Sequence, residues 1–226
     1  MTSKAATQTA PLAGSLADAI AEFQAGMLPT IPGEVLQTMQ QAGQQIASLG
    51  IENQALRSGD RCPEFRLHNA QGQQIASEQL LEKPLVISFY RGAWCPYCNL
   101  EIRALSAALP EIRAQGAELV AITPQLPEKS EQQVSASKME FEVLSDIGNR
   151  LAKEFGLVFT LPEALRPVYQ AWGVDLPEYN GDQSFQLPVP ATYIIDRDGI
   201  IRYHYVNSDY TRRLEPAIVV EQLGLL

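Results

Sequence analysis

Two short, almost continuous apolar runs, Pro84 to Phe89 (PLVISF) and Glu118 to Ile122 (ELVAI), flank a helical pattern. In that pattern Leu100, Ile102, Leu105, Leu109 and Ile112 lead to Gly116. Apolar runs of this length with little polar alternation suit strands buried on both faces of a sheet. The rhythm continues with a polar helix at 127–138, a third strand from Phe141 to Leu144, and a helix over Asn149 to Phe155. Residues 157–188 break it with prolines, glycines and tyrosines and read as an insertion. Thr192–Ile195 and Ile200–Val206 then surround Arg197-Asp-Gly199, an Asp-Gly turn that predicts a hairpin, and a helix from Pro216 closes the chain. Upstream, Glu64–Leu67 and Gln73–Ile75 predict another hairpin. The sum is an α/β domain over 58–226, with a central mixed sheet flanked by helices.

Residues 1–57 precede it as an extension. Leu16, Ile20, Phe23 and Met27 predict one amphipathic helix; Val35, Met39, Ala42 and Ile46 predict a second, ending near Gly50. The stretch before them, MTSKAATQTAPLAGS, reads as a mobile polar lead-in without the apolar core of a signal peptide. No apolar stretch approaches the roughly 20 residues that span a bilayer, so the expected location is the cytoplasm. A net charge of −9, from 26 acidic and 17 basic residues, argues against nucleic-acid binding.

The first apolar run leads directly into Arg91-Gly-Ala-Trp-Cys-Pro-Tyr-Cys98, which holds two of the chain's 3 cysteines. A structural zinc site needs four ligands, and only Cys62, His68 and His204 could supplement the pair, so neither metal nor cofactor is expected. Three cysteines make no disulfide scaffold, and a reducing compartment disfavours one. Pro96 suits the first turn of a helix, which puts Cys95 at or near its N-cap, where free backbone N–H groups stabilise a thiolate. Redox chemistry at the pair is expected, on either a peroxide or a disulfide substrate.

Trp94-Cys-Pro-Tyr-Cys98 after a strand, with Val189-Pro190 at the start of the late hairpin, resembles the thioredoxin fold. More of the chain resembles the peroxiredoxin-like proteins of the AhpC/TSA family. The matching pieces include Gly59-Asp-Arg-Cys-Pro-Glu-Phe65, Ser88-Phe-Tyr-Arg91, Leu144-Ser-Asp146, Phe155-Gly156 and Ile194-Ile-Asp-Arg-Asp-Gly199. A subgroup marked by FYRGxWCPYC and by Asp-Tyr-Thr-x-Arg-x-Glu-Pro, here Asp209 to Pro216, is similar over about 15–226. The resemblance implies a thioredoxin-like fold, a cis Pro190 against the cysteine pair, and a thiol peroxidase. Such an enzyme would be recycled through a Cys95–Cys98 disulfide by thioredoxin or a similar dithiol, commonly as a homodimer. Disulfide oxidoreduction by the same pair is the alternative.

The family's usual Pro-x-x-x-Thr-x-x-Cys places its attacking cysteine on Cys98, its threonine on Cys95 and its proline on Arg91. The family's later arginine falls on Pro190, and the thioredoxin buried acid on Ser88. Helix-end electrostatics and thioredoxin order instead favour Cys95 as the attacker. Arg91 is the nearest cation in sequence. Arg212 and Arg213, expected to form surface pairs, could also reach in. Trp94 would shape the site, and Tyr97 is expected at an exposed tip. Cys62 reads as a buried small hydrophobe, and His68 and His204 as packing residues.

Overall fold

The structure is a computed structural model that describes residues 14–226, so most of the expected lead-in lies outside the described residues. The chain begins with helices α1 (Leu16–Met27), α2 (Gly33–Ala47) and α3 (Ile51–Gln54). These are followed by β1 (Arg66–Asn69), β2 (Gln74–Ala76), α4 (Ser77–Leu80) and β3 (Leu85–Phe89). Next come α5 (Pro96–Ala114), β4 (Glu118–Thr123), α6 (Pro127–Ser137), β5 (Glu142–Ser145) and α7 (Arg150–Glu154). The last part holds β6 (Val158–Thr160), α8 (Arg166–Ala171), α9 (Leu176–Asn180), β7 (Gln186–Pro188), β8 (Ala191–Ile195), β9 (Ile201–Val206) and α10 (Pro216–Leu223).

Seven strands form one mixed sheet in the order β2-β1-β5-β4-β3-β8-β9. The two apolar runs lie at its centre: β3 pairs parallel with β4 and antiparallel with β8, and every residue of β3 is buried. Alternation along β3 divides the core. Val86 faces the layer under α5 and α10, whereas Leu85, Ile87 and Phe89 face the layer that holds Phe155, Leu151 and Cys62. The predicted Asp-Gly hairpin is β8–β9, with Gly199 at φ 76° in its turn.

Residues 157–188 are not an unstructured break. They contain the two-stranded sheet β6–β7 and two short helices, whose strands of three residues each are too short to show a period. Their core is shared with α2, through Ala42 and Ile46 packed with Phe159, Leu161 and Leu187. Gly156, at φ 73°, sits where a β-carbon would lie 2.8 Å from the Gln54 carbonyl oxygen, so a glycine is needed where this segment meets the extension.

The extension packs onto the domain. Ser15 and Asp18 cap α1 reciprocally, and the Glu215 carboxylate accepts hydrogen bonds from the Leu16 and Ala17 N–H groups at 3.0 and 2.7 Å. Helix α1 thus starts on the residue just before α10 and runs against α5. Among the described residues, no helix is long and apolar enough to cross a membrane.

Candidate active site

The site forms where β3 gives way to α5. Tyr90 N–H continues the strand to the Ile122 carbonyl at 2.9 Å, and the chain then turns at Gly92, φ 142°. A β-carbon there would meet Trp94 Nε1 at 2.6 Å and Gln125 Oε1 at 2.9 Å, which explains the glycine in FYRGxWCPYC. Amide side chains hold the loop: Gln125 Oε1 accepts from Ala93 N–H (3.0 Å) and Asn99 Nδ2 donates to the Ala93 carbonyl (2.8 Å). Gln133 links Asn99 to the Tyr90 hydroxyl, tying the loop to α6.

Cys95 is the N-cap of α5, and its sulfur accepts from the Cys98 N–H at 3.4 Å. Arg91 Nη2 donates to the same sulfur at 3.1 Å. Both cysteine side chains are fully buried free thiols. Burial opposes a thiolate at Cys95, but it is outweighed by a hydrogen bond from Cys98 and by the charges of Arg91 and Arg213. The Cys95 thiol is therefore held well below its ordinary range. Burial, the hydrogen bond to Cys95 and the negative charge there push the Cys98 thiol well above it. The surroundings thus favour a thiolate at Cys95 over one at Cys98.

Arg91 is itself 4% exposed. Its Nη1 donates to the Tyr169 hydroxyl at 3.2 Å, and its guanidinium lies 4.3 Å from the Tyr210 ring centre and 5.3 Å from that of Trp94. Sequence alone left Arg91 between a loop charge and a site residue; the structure places it on the sulfur. Of the two later arginines, Arg212 is exposed and pairs with Asp209. Arg213 is buried: it forms an ion pair with Glu101 and donates to the Tyr210 carbonyl and, at 3.5 Å, to Cys98 Sγ. The expectation of a surface pair holds for Arg212 and is corrected for Arg213, whose loop folds back over α5.

Three residues of Asp209–Pro216 therefore have a structural task. Tyr210 stacks on Arg91, Arg213 reaches Cys98, and Glu215 caps α1.

Tyr97 is buried rather than exposed, because α1 covers the motif: its ring meets Phe23 at 5.3 Å and Tyr210 at 5.4 Å. Trp94 packs 5.4 Å from Tyr169. Pro190 is buried at the same end of the sheet, one residue before the Phe89–Ala191 pair. The cis bond expected there is not found: all described peptide bonds are trans. Only Val189 and Pro190 separate β7 from β8, and trans is the default isomer. Cys62 is not brought to the pair. It lies in the core layer across the sheet, its thiol pushed up to about 12 by burial. His68 sits in β1 and His204 in β9 against Ser58, both away from the pair.

Sequence reasoning missed Glu101 and Tyr169. Glu101 was the more visible, as a carboxylate on the apolar stripe of α5 formed by Cys98, Ile102, Leu105 and Leu109. Among the described residues, no group of three or more His, Cys, Asp or Glu is gathered to hold a metal ion.

Arg91 also forms the floor of a cavity of about 200 Å³. Its walls are largely apolar and include Met27, Met39 and Ile46 of the extension, Phe159 and Leu165 of the 157–188 segment, Trp94 of the motif and Tyr210 of the last loop.

Comparison with known proteins agrees with this architecture. The AhpC/TSA family model matches residues 58–204. The chain is 27% identical over 150 residues to the chloroplastic peroxiredoxin Q of Sedum lineare, covering 66% of this chain and 69% of that protein. It is 25% identical over 152 residues to the putative peroxiredoxin bcp of Helicobacter pylori, covering 67% and 89%. The match spans 59% of the Oryza sativa peroxiredoxin Q, so some plant relatives extend well beyond it. Among solved structures, peroxidoxin BcpB from Mycobacterium tuberculosis shares the fold with a TM-score of 0.59 at 19% identity, over 76% of this chain and 98% of that one. The mixed sheet, the strand-to-helix cysteine pair and the family match over most of the domain carry one conclusion: the chain belongs to the AhpC/TSA family.

Proposed function

We propose that the chain is a thiol-dependent peroxidase in which Cys95 attacks and Cys98 resolves. The carrying observation is the Arg91 guanidinium 3.1 Å from a buried sulfur at a helix N-cap. The Cys95 thiolate attacks one oxygen of the peroxide: an S–O bond forms, the O–O bond breaks, and the departing oxygen takes a proton and leaves as an alcohol or water. Arg91, with its Nε unpaired, stabilises charge on that oxygen. The sulfenic acid at Cys95 then meets the Cys98 sulfur. An S–S bond forms, hydroxide leaves and is protonated to water, and the protein has given two electrons. An external dithiol of the thioredoxin type returns them by exchange. A reducing compartment such as the cytoplasm suits that cycle.

Disulfide oxidoreduction draws support from the order of the two sulfurs, since the N-terminal one is the activated one, as in thioredoxins. Against it stands the complete burial of Cys95, which a protein disulfide would have to reach. Stopped-flow mixing of the reduced protein with hydrogen peroxide, read by the fluorescence of Trp94, decides the matter. Oxidation far faster than that of a free thiol is expected, and a rate equal to a free thiol's would sink the peroxidase reading.

A further inference from the structure

We propose that Arg213 is a second catalytic arginine, one that serves the resolving step: it holds the charge of Cys98 once the Cys95 thiolate has been spent on the oxidant. This rests on the reading in which Cys95 attacks and Cys98 resolves.

The first observation is aim. Every nitrogen of the Arg213 guanidinium is committed. Nε and Nη2 donate to the Tyr210 carbonyl at 2.9 and 2.7 Å, Nη1 donates to the Glu101 carboxylate, and Nη2 also donates to Cys98 Sγ at 3.5 Å. Glu101 stands one turn beyond Cys98 on the same face of α5. The fork is thus held from two sides with an N–H on the sulfur.

The second observation is cost. The side chains of Arg213 and Glu101 are only 1% and 3% exposed. Taking two ions out of water is expensive, and an apolar pair of similar volume often serves a fold as well or better. Stability alone does not call for an ion pair here. A sulfur that must turn negative away from water does.

The third observation is timing. In the reduced protein the charge at Cys95 helps to keep Cys98 protonated, together with burial and the hydrogen bond between the two sulfurs; Arg213 and Arg91 act the other way. Tyr90 at the end of β3 and Tyr169 on α8 also face Cys98, but burial pushes both phenols up and they stay neutral. Glu101 on the same helix is the one carboxylate acting on Cys98 among the described residues. Oxidation turns Cys95 into a neutral sulfenic acid and so removes one opponent of a Cys98 thiolate. The Cys98 thiol then releases its proton and its sulfur attacks the Cys95 sulfur. An S–S bond forms, the S–O bond breaks, and the departing hydroxide takes up that proton as water. The peroxide has already accepted the two electrons, so no further oxidant is needed. Arg91 serves the attacking sulfur and Arg213 the resolving one.

The test separates this role from a mere staple for the loop. Arg213→Met combined with Glu101→Leu removes both ions together, so no buried charge is stranded and the core stays filled; Arg213→Gln stands in if that variant does not fold. The first measurement is thiolate absorbance against pH in a Cys95→Ser background, which leaves position 95 neutral as oxidation does. Cys62 does not interfere, since it titrates only at about 12. Cys98 should titrate at lower pH in Cys95→Ser than in the native protein, and the added substitutions should make it less acidic again by about tenfold or more. The second measurement is the lifetime of the sulfenic acid after one equivalent of hydrogen peroxide, read by dimedone trapping with Cys95 present. It should lengthen by about tenfold or more without Arg213. A staple predicts native values, and native values in either measurement overturn the inference. If hydrogen peroxide oxidises the protein no faster than a free thiol, the peroxidase reading falls, and the titration in Cys95→Ser still decides the role of Arg213.

Discussion

Cys95 and Cys98 lie three residues apart, equally buried, and each has an arginine donating to its sulfur. They nevertheless differ in acidity in opposite directions. The difference lies first in the pair itself: Cys95 accepts hydrogen bonds at the N-cap, whereas burial and the charge on Cys95 oppose a second thiolate at Cys98. Arg91 has no carboxylate partner among the described residues; its other neighbours are the Tyr169 hydroxyl and aromatic faces. Its full charge reaches Cys95, which also takes the N-cap hydrogen bond. Arg213 is paired with the buried Glu101 carboxylate, which shares its charge with Cys98.

The largest expected effect breaks the pair apart. Cys95→Ser should abolish peroxide consumption, whereas Cys98→Ser should consume one equivalent and stop with a sulfenic acid, detected by trapping with dimedone. The reverse result would make Cys98 the attacker. Next, Glu101→Gln frees the Arg213 charge. The two sulfurs should then become more alike, with the Cys98 thiol falling, as followed by thiolate ultraviolet absorbance against pH. The variant should also lose on the order of 3–5 kcal/mol in urea unfolding, because it leaves a buried guanidinium unpaired.

Arg91→Met should slow oxidation on the order of 10²-fold and change its pH profile. In the native protein the lowered Cys95 thiol keeps the rate flat through neutral pH, and acid must reach that lowered value before the rate declines. Without Arg91 the thiol moves up, and the rate should rise with pH towards the ordinary thiol range near 8.5. A profile that stays flat would remove Arg91 from the activation. The smallest effect concerns the extension: Glu215→Gln removes the charge at the start of α1 and should cost about 0.3–1 kcal/mol in thermal unfolding. It should leave both cysteine acidities in place, since Glu215 touches neither sulfur.

What the sequence disclosed and what it withheld follow one division. Local signals were readable: the apolar runs of β3 and β4, the Asp-Gly turn, the helical spacing of α1 and α2, and Pro96 setting Cys95 at the head of α5. The Arg213–Glu101 pair spans 112 residues and depends on a loop folding back across a helix, which no local pattern encodes. The burial of Tyr97 likewise follows from the docking of α1. Pro190 shows the opposite hazard, where a resemblance predicted a cis isomer and the bond is trans.

The complete burial of both sulfurs separates the two halves of the catalytic cycle. A small oxidant needs far less room to reach Cys95 than a protein does. A reducing protein must place its own sulfur in contact with the disulfide, and no sulfur of the pair is on the surface to meet it. Reduction by a protein therefore requires a rearrangement that brings a sulfur of the pair to the surface. Recycling should consequently level off as reductant is added, while oxidation keeps rising with peroxide. In that sense burial of the pair acts as a molecular sieve.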